Sequence, residues 1–217
     1  MEKLQKLSEA LITGNHILVR ELIQDCLDEG VEAGRIMELG LIAGMNVVAE
    51  GFKRNELFLP EVMMAARAMN TGLAIIDPIL RNTCFKLRGK MVLGTVRGDL
   101  HDVGKNIVSM MFRGAGFKVI DLGVDVPEER FLNAVKEHEP DIVGLSALLT
   151  TTMPMIKLTI ESLKQANLRE GLIVMVGGAP VTQEFADQIG ADGYAPNAAL
   201  AIEKTQELMK ARRQAKM

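Results

Sequence analysis

The second half of the chain alternates short apolar runs with stretches of helical periodicity, and this alternation limits the fold more than any other feature. Five such runs are present, at residues 91–93, 119–122, 142–145, 173–176 and 193–195. Repeated strand–helix units of this kind predict a parallel sheet covered by helices on both faces. We therefore expect an α/β domain with a doubly wound parallel five-stranded sheet in flavodoxin-like order, and a ligand cleft between the first and third strands.

The first half shows helical periodicity and no convincing strand. Apolar residues recur at helical spacing in four stretches, which are separated by breaks such as Gly14-Asn15 and Glu29-Gly30. Four helices with short connections predict a compact N-terminal four-helix bundle. In the third helix, residues 31–52, the spacing predicts an inward face, made of Ile36, Leu39, Ala43, Val47 and Val48. The polar stretch 81–90 is predicted to link the two halves.

The composition excludes several classes of function. The chain has 217 residues, of which 48% are hydrophobic and 24% charged, and its net charge is −3. A mildly acidic chain lacks the positive surface that nucleic-acid binding needs. No apolar run approaches the roughly 20 residues of a membrane span, and the amino terminus lacks a signal-peptide core. We therefore expect a cytoplasmic protein that binds neither nucleic acid nor membrane.

The loop after the first predicted strand carries the most informative motif, Gly94 to Asn106. It places Asp99 two residues before His101, so that a carboxylate can orient an imidazole, and Gly98 and Gly104 let a bulky group approach the backbone. An isolated Asp-x-His is also compatible with an ordinary loop histidine. A phosphate loop does not fit, because the glycine spacing is one residue too long and Asn106 stands where Ser or Thr should bind magnesium. The acidic cluster of a receiver domain is also missing.

Three motifs in order along the chain resemble a known signature. Asp99-x-His101-x-x-Gly104 is followed by Ser146-x-Leu148 after the third strand and by Gly177-Gly178 after the fourth. This order resembles the cobalamin-binding signature of methionine synthase and of the corrinoid carrier proteins of methyltransferase systems. The helical half resembles the cap of methionine synthase. The resemblance covers nearly the whole chain and implies a helical cap domain over residues 1–86 and a Rossmann-like cobalamin-binding domain over residues 87–217.

The resemblance also implies roles for individual residues. Cobalamin would bind with its own base off the cobalt, and His101 would replace that base as the axial ligand to the metal. Asp99 would hold the other ring nitrogen, and Thr152 would stand where methionine synthase has a relay serine. Phe52 and Leu59 would cover the cobalt from the cap, with Glu38 at the corrin periphery. The remaining implied cofactor contacts are Gly98, Asp102, Gly104, Ser146, Leu148, Thr150, Gly177, Gly178 and Ala198.

The function implied by the resemblance is methyl transport between other enzymes. The cofactor would alternate between methylcobalamin and Co(I)-cobalamin. A substrate:corrinoid methyltransferase would load it from a methylamine, betaine, methanol or methoxy-aromatic donor, and a methylcorrinoid:tetrahydrofolate or thiol methyltransferase would unload it. A reductive activator would rescue Co(II), and the carrier alone would be inactive. Two alternatives stay open at this point: a cobalamin-sensing regulatory module, although the chain has no Trp, and the small subunit of an adenosylcobalamin mutase.

Overall fold

The structure is a computed structural model that describes residues 2–80 and 87–215. The chain divides into two compact units, one of Met1–Arg88 with Arg113–Gly116 and the other of Gly89–Phe112 with Phe117–Met217. Most of the predicted linker, residues 81–86, lies outside the described residues. None of the helices described is long and apolar enough to cross a membrane.

The first unit is helical, as the sequence predicts. Its elements are α1 (Glu2–Ile12), α2 (His16–Asp28), α3 (Ala33–Arg35), a π-helical segment (Ile36–Ile42), α4 (Ala43–Lys53) and α5 (Leu59–Leu80). The α3, π-helical and α4 segments follow one another without a break and together form the third predicted helix. At the start of α2 the Asn15 side chain accepts the Leu18 N–H at 3.1 Å, which explains why the chain breaks and restarts there.

Part of the predicted inward face is wrong, because a π-helical segment interrupts the third helix. Leu39 and Val47 are 44% and 53% exposed, whereas Ile36 and Val48 are buried. A π-helix bonds each N–H to the carbonyl five residues back, so its turns hold more residues than those of an α-helix. The residues that follow are rotated to a new face, and Met45 is buried instead. A spacing rule based on 3.6 residues per turn cannot anticipate that rotation.

The sheet has the predicted flavodoxin-like order. Its strands are β1 (Lys90–Thr95), β2 (Lys118–Asp121), β3 (Ile142–Ser146), β4 (Ile173–Gly177) and β5 (Gly193–Tyr194). They lie in the order β2-β1-β3-β4-β5, and all pairs are parallel. Thr95 is opposite Ser146, and Ser146 is opposite Gly177, so the carboxyl ends of three neighbouring strands are level. The chain direction of the connections changes between β1 and β3, which is where such sheets open a cleft.

Five helices follow the strands, namely α6 (Val103–Gly114), α7 (Glu128–His138), α8 (Met153–Gln165), α9 (Gln183–Ile189) and α10 (Ala198–Ala215). Side chains from α7 and α8, among them Phe131, Ile156 and Ile160, pack on the sheet residues Val92 and Val143, and all five are fully buried. This core supports the carboxyl edge of the sheet, where the loops that carry the predicted site residues begin.

Candidate functional site

Asp99 and His101 meet in the loop after β1. The Asp99 side chain is completely buried, and that of His101 is 50% exposed. Oδ1 of Asp99 lies 2.8 Å from Nδ1 of His101 and also accepts the His101 backbone N–H at 3.1 Å. Because a carboxylate can only accept, Nδ1 carries the proton and Nε2 carries the lone pair. The imidazole is therefore oriented with one nitrogen suited to bind a metal.

The second oxygen of Asp99 is held by the segment after β3. Oδ2 accepts the backbone N–H of Leu148 at 2.7 Å and that of Leu149 at 3.2 Å. The Thr152 hydroxyl donates to the same oxygen at 2.7 Å and lies 2.9 Å from the Leu149 carbonyl. A hydroxyl has a single proton, so the carboxylate and the carbonyl share it. Thr152, Asp99 and His101 thus form one hydrogen-bonded chain, in the order in which the resemblance places them.

This environment keeps Asp99 ionised. Burial by itself raises the pKa of a carboxyl, but hydrogen bonds from the Thr152 hydroxyl, the Leu148 N–H and His101 oppose that effect. Their combined effect holds the pKa of Asp99 well below its usual range. The proton between Asp99 and His101 therefore belongs to the imidazole, and the buried carboxylate acts as a fixed negative charge beside the ring.

Two residues that sequence reasoning did not select also hold this loop. The hydroxyl of Thr95, fully buried at the end of β1, donates to the His101 carbonyl at 2.9 Å. Oδ1 of Asp125, on the loop after β2, accepts the Gly98 N–H at 2.6 Å. Nothing in the sequence marks Thr95. Asp125 stands in a Gly-Val-Asp-Val-Pro turn sequence, which is the signal that could have indicated it.

The surface around His101 fits a large, mainly apolar ring. Leu100 and Val103, on either side of His101 in sequence, are 70% and 60% exposed, and Leu148 is 41% exposed. A Cβ added at Gly104 would meet nothing within 4 Å, so the protein's own packing does not require a glycine there. Binding sites for such ligands combine apolar walls with a few placed polar groups. Nε2 of His101, surrounded by exposed apolar side chains, meets that description. These residues therefore fit cobalamin.

The predicted tail contacts lie close to the carboxyl edge but differ in character. Gly177 is open, because a Cβ there would find its nearest atom, the Ala195 carbonyl oxygen, at 3.7 Å. At Gly178, with φ +124°, a Cβ would strike the Ala147 backbone, so the fold itself requires this glycine. Whether Gly178 also faces the cofactor stays a prediction. Ala198 is only 4% exposed.

The other predicted contacts are placed as follows. Asp102 and Thr150 are exposed and Ser146 is partly buried, and Asp102 accepts the Asn106 side-chain amide at 3.0 Å. In the helical unit, Glu38 and Leu59 are exposed and Phe52 is partly buried. The assignment of these side chains to cofactor contacts stays a prediction.

Lys105, which follows Gly104 in the motif, has a different role from that of a phosphate-binding lysine. It is 4% exposed, and its Nζ lies 2.8 and 2.6 Å from the two carboxylate oxygens of Asp121 at the end of β2. The same Nζ donates to Oδ1 of Asn106 at 2.7 Å. This ion pair, buried only on the Lys105 side, joins the first turn of α6 to the end of β2, which explains why Lys105 is unsuited to bind a phosphate.

Comparison with known families identifies the relatives of this chain. Two family models, each described as a B12 binding domain, match residues 89–203 and 3–77. A corrinoid protein of Desulfitobacterium hafniense is 46% identical over 212 residues, which cover 96% of this chain and 98% of the relative. A dimethylamine corrinoid protein of Methanosarcina acetivorans is 48% identical over 209 residues, with 96% and 98% covered. A trimethylamine corrinoid protein of the same organism is 42% identical over 210 residues, with 96% and 97% covered.

Solved structures give the same result. A cobalamin-binding protein from Desulfitobacterium hafniense is similar with a TM-score of 0.76 and 32% identity, over 94% of this chain and 97% of the other. A chain of the methanol:cobalamin methyltransferase complex from Methanosarcina barkeri is similar with a TM-score of 0.84 and 32% identity, over 94% and 77%.

Proposed function

This chain belongs to the corrinoid proteins built from B12 binding domains, with cobalamin as the cofactor, and on that premise we propose that it carries a methyl group between two partner methyltransferases. The observation that carries the proposal is the half-exposed His101, held by the fully buried Asp99 with Nε2 left to bind a metal. We propose that residues 87–217 hold the cofactor and that residues 1–86 act as its cap. A carrier of this kind has no turnover of its own.

The residues of the site then act as follows. Bound cobalamin supplies a cobalt centre that accepts and releases a methyl group, which is chemistry that no side chain provides. His101 would hold the cobalt through Nε2, and Asp99 would fix the ring and raise its basicity as a ligand. Thr152 helps to keep Asp99 charged, so that a proton arriving at the pair stays on the imidazole. Exposed apolar side chains such as Leu100 and Val103 would exclude water from the corrin.

The methylamines are the donor class that we propose. The support is the identity of 42–48% with the dimethylamine and trimethylamine corrinoid proteins over nearly the whole chain. The donor methyltransferase would dock to load the cofactor. A second methyltransferase, acting on tetrahydrofolate or a thiol, would unload it, and a reductive activator would restore oxidised cofactor.

The ligation is tested by electron paramagnetic resonance of the Co(II) protein, made with nitrogen-15 histidine. Labelling should change the nitrogen splitting on cobalt, which identifies a protein histidine as the ligand. His101→Ala should abolish that splitting. His138→Ala, which removes a histidine at the end of α7 with a 32% exposed side chain, should leave it unchanged. A splitting that is insensitive to histidine labelling would contradict the proposed site.

The donor is tested with carbon-13 dimethylamine and a purified dimethylamine methyltransferase. The labelled methyl group should appear on the cofactor of this protein and on no cofactor when the His101→Ala variant is used. Native protein that carries an adenosyl group instead of a methyl group would contradict the carrier function and favour a mutase subunit or a sensor.

A further inference from the structure

The loop between β2 and α7 holds the loop of Asp99 by two hydrogen bonds. The Asp125 side chain accepts the Gly98 N–H at 2.6 Å through Oδ1. The backbone N–H of Asp125 donates to the Asp99 carbonyl at 2.9 Å. One residue thus bonds the backbone at two successive positions, Gly98 and Asp99. We call this pair of bonds the Asp125 clasp.

The backbone on both sides of the clasp is in the left-handed region. Gly98 has φ +80° and Asp125 has φ +52°. A non-glycine residue rarely adopts this conformation, and aspartate is among the few that tolerate it because its short side chain can hydrogen-bond locally. Glycine can adopt many backbone conformations, so Gly98 by itself does not hold the loop in one of them. The hydrogen bonds of the clasp therefore supply the restraint on the backbone that Gly98 lacks.

The same two loops meet at further points beside the clasp. Val96 and Val126 pair as an isolated parallel bridge. Arg97, 50% exposed at its side chain, lies 3.3 Å from the carboxylate of the buried Glu128 at the start of α7. These contacts hold the two loops next to each other. The clasp adds hydrogen bonds to the backbone of Gly98 and Asp99 in particular.

We propose that Asp125 is a positioning residue for the cobalt ligand. By holding Gly98 and Asp99, it fixes where the Asp99 carboxylate lies, and through that carboxylate it fixes the His101 imidazole. Asp125 bonds the backbone of Gly98 and Asp99 rather than His101 itself, so its effect on the ligand is exerted through the backbone. This inference rests on the proposed role of His101 as axial ligand.

Two variants separate the carboxylate from the backbone conformation. Asp125→Gly removes the acceptor but keeps the left-handed conformation, which glycine adopts without strain. Asp125→Asn keeps both an acceptor oxygen and tolerance of positive φ. The matched control is Glu139→Gly, which places glycine at the other end of α7, at a residue with φ +45° whose N–H bonds the Val135 carbonyl. It loosens the chain to a similar degree far from the clasp.

The first measurement needs no cofactor. In the protein without corrinoid, amide hydrogen exchange should be faster at Gly98 in Asp125→Gly by about tenfold or more, the factor that corresponds to the loss of one hydrogen bond. Asp125→Asn and Glu139→Gly should leave the exchange of Gly98 close to that of the unaltered protein. Unchanged exchange in Asp125→Gly would show that the carboxylate does not restrain the loop.

The second measurement reads the cobalt ligand. In the Co(II) protein, the ratio of histidine-bound to histidine-free cofactor should fall about tenfold in Asp125→Gly and recover in Asp125→Asn. A fall no larger than that of Glu139→Gly would overturn the inference. Absence of histidine ligation in the unaltered protein would instead overturn the proposed function. If Asp125→Gly does not fold, Asp125→Ser, whose shorter side chain shortens the reach to Gly98, takes its place with the same expected losses.

Discussion

The hydroxyl of Thr152 lies 2.7 Å from the carboxylate of Asp99, and both side chains are buried although the residues are 53 positions apart in sequence. The methyl group of Thr152 lies near Gly98 in the loop of Asp99, as a Cβ built on that glycine would be 3.7 Å from Cγ2. Threonine thus donates the hydrogen bond and places a methyl group beside the loop. A serine at this position would make only the first of these contacts.

Replacing the Thr152 hydroxyl with a methyl group is expected to destabilise the protein. Thr152→Val keeps the shape but leaves the buried Asp99 carboxylate one donor short, which should lower the free energy of unfolding by about 1–3 kcal/mol. Thr152→Ser keeps the donor and should cost about 1 kcal/mol for the lost methyl group. Urea unfolding of the protein without corrinoid measures both. Thr159→Val is the control, since this buried hydroxyl donates to the Met155 carbonyl of its own helix at 2.8 Å. A cost equal to that of Thr152→Val would contradict the prediction.

The stability that Asp99 contributes should depend on pH in one direction. Its pKa is held below the ordinary value in the folded protein, so the unfolded chain binds a proton at a higher pH than the folded chain does. The contribution is fully present above the ordinary pKa of about 3.9 and is lost progressively as the pH falls below it.

The comparison of unaltered protein with Asp99→Asn tests this prediction. The difference between their free energies of unfolding should be constant from neutral pH down to about pH 5 and should shrink at lower pH. Asp77→Asn, at an exposed position of α5, is the control for loss of a carboxylate in general. A difference that grows on acidification would show that Asp99 is not the stabilised anion.

The two glycines at the end of β4, Gly177 and Gly178, should respond differently to alanine. Gly178→Ala forces a Cβ onto the Ala147 backbone at a positive φ, so the free energy of unfolding should fall by about 2 kcal/mol or more. Gly177→Ala enters open space and should change stability by less than about 1 kcal/mol. If Gly177 faces the cofactor tail, its alanine variant should fold normally yet retain less corrinoid, measured by absorbance after reconstitution. Normal corrinoid content in Gly177→Ala would place the tail elsewhere.

The Lys105–Asp121 ion pair should stabilise the start of α6 more than a surface pair would, because Lys105 is buried and both oxygens of Asp121 lie within 2.8 Å of its Nζ. Lys105→Met leaves an Asp121 side chain that is 25% exposed and can be hydrated, so its cost should stay below the roughly 3 kcal/mol of breaking a fully buried pair. A double-mutant cycle with Asp121→Asn should give a coupling energy above about 1 kcal/mol. The exposed Lys157–Glu161 pair, 3.8 Å apart on α8, should give less than about 0.5 kcal/mol. Equal couplings would contradict a structural role for Lys105.

The fold was largely predictable because it depends on patterns that repeat. Five apolar runs separated by helical stretches determine the parallel sheet, and the motif loop follows β1 because ligand loops follow strands in such sheets. Thr95 was not predictable, because it acts through a bond to a backbone atom that tertiary contacts bring near. Asp125 stands in a recognisable turn sequence, but the sequence does not show which loop its side chain bonds. The need for glycine at position 178 has the same origin, namely close approach of Ala147. The exposure of Leu39 and Val47 follows from a π-helical segment that has no spacing signature.

The bonds to Asp99 also impose an order of assembly. Leu148, whose N–H meets the carboxylate, comes 49 residues after it, and the bond exists only once β1 and β3 lie side by side. A buried carboxylate without its donors is costly, so the conformation that orients His101 should become stable only when β1 and β3 have paired. Binding of the cofactor through His101 is therefore expected to require a chain whose sheet has already formed.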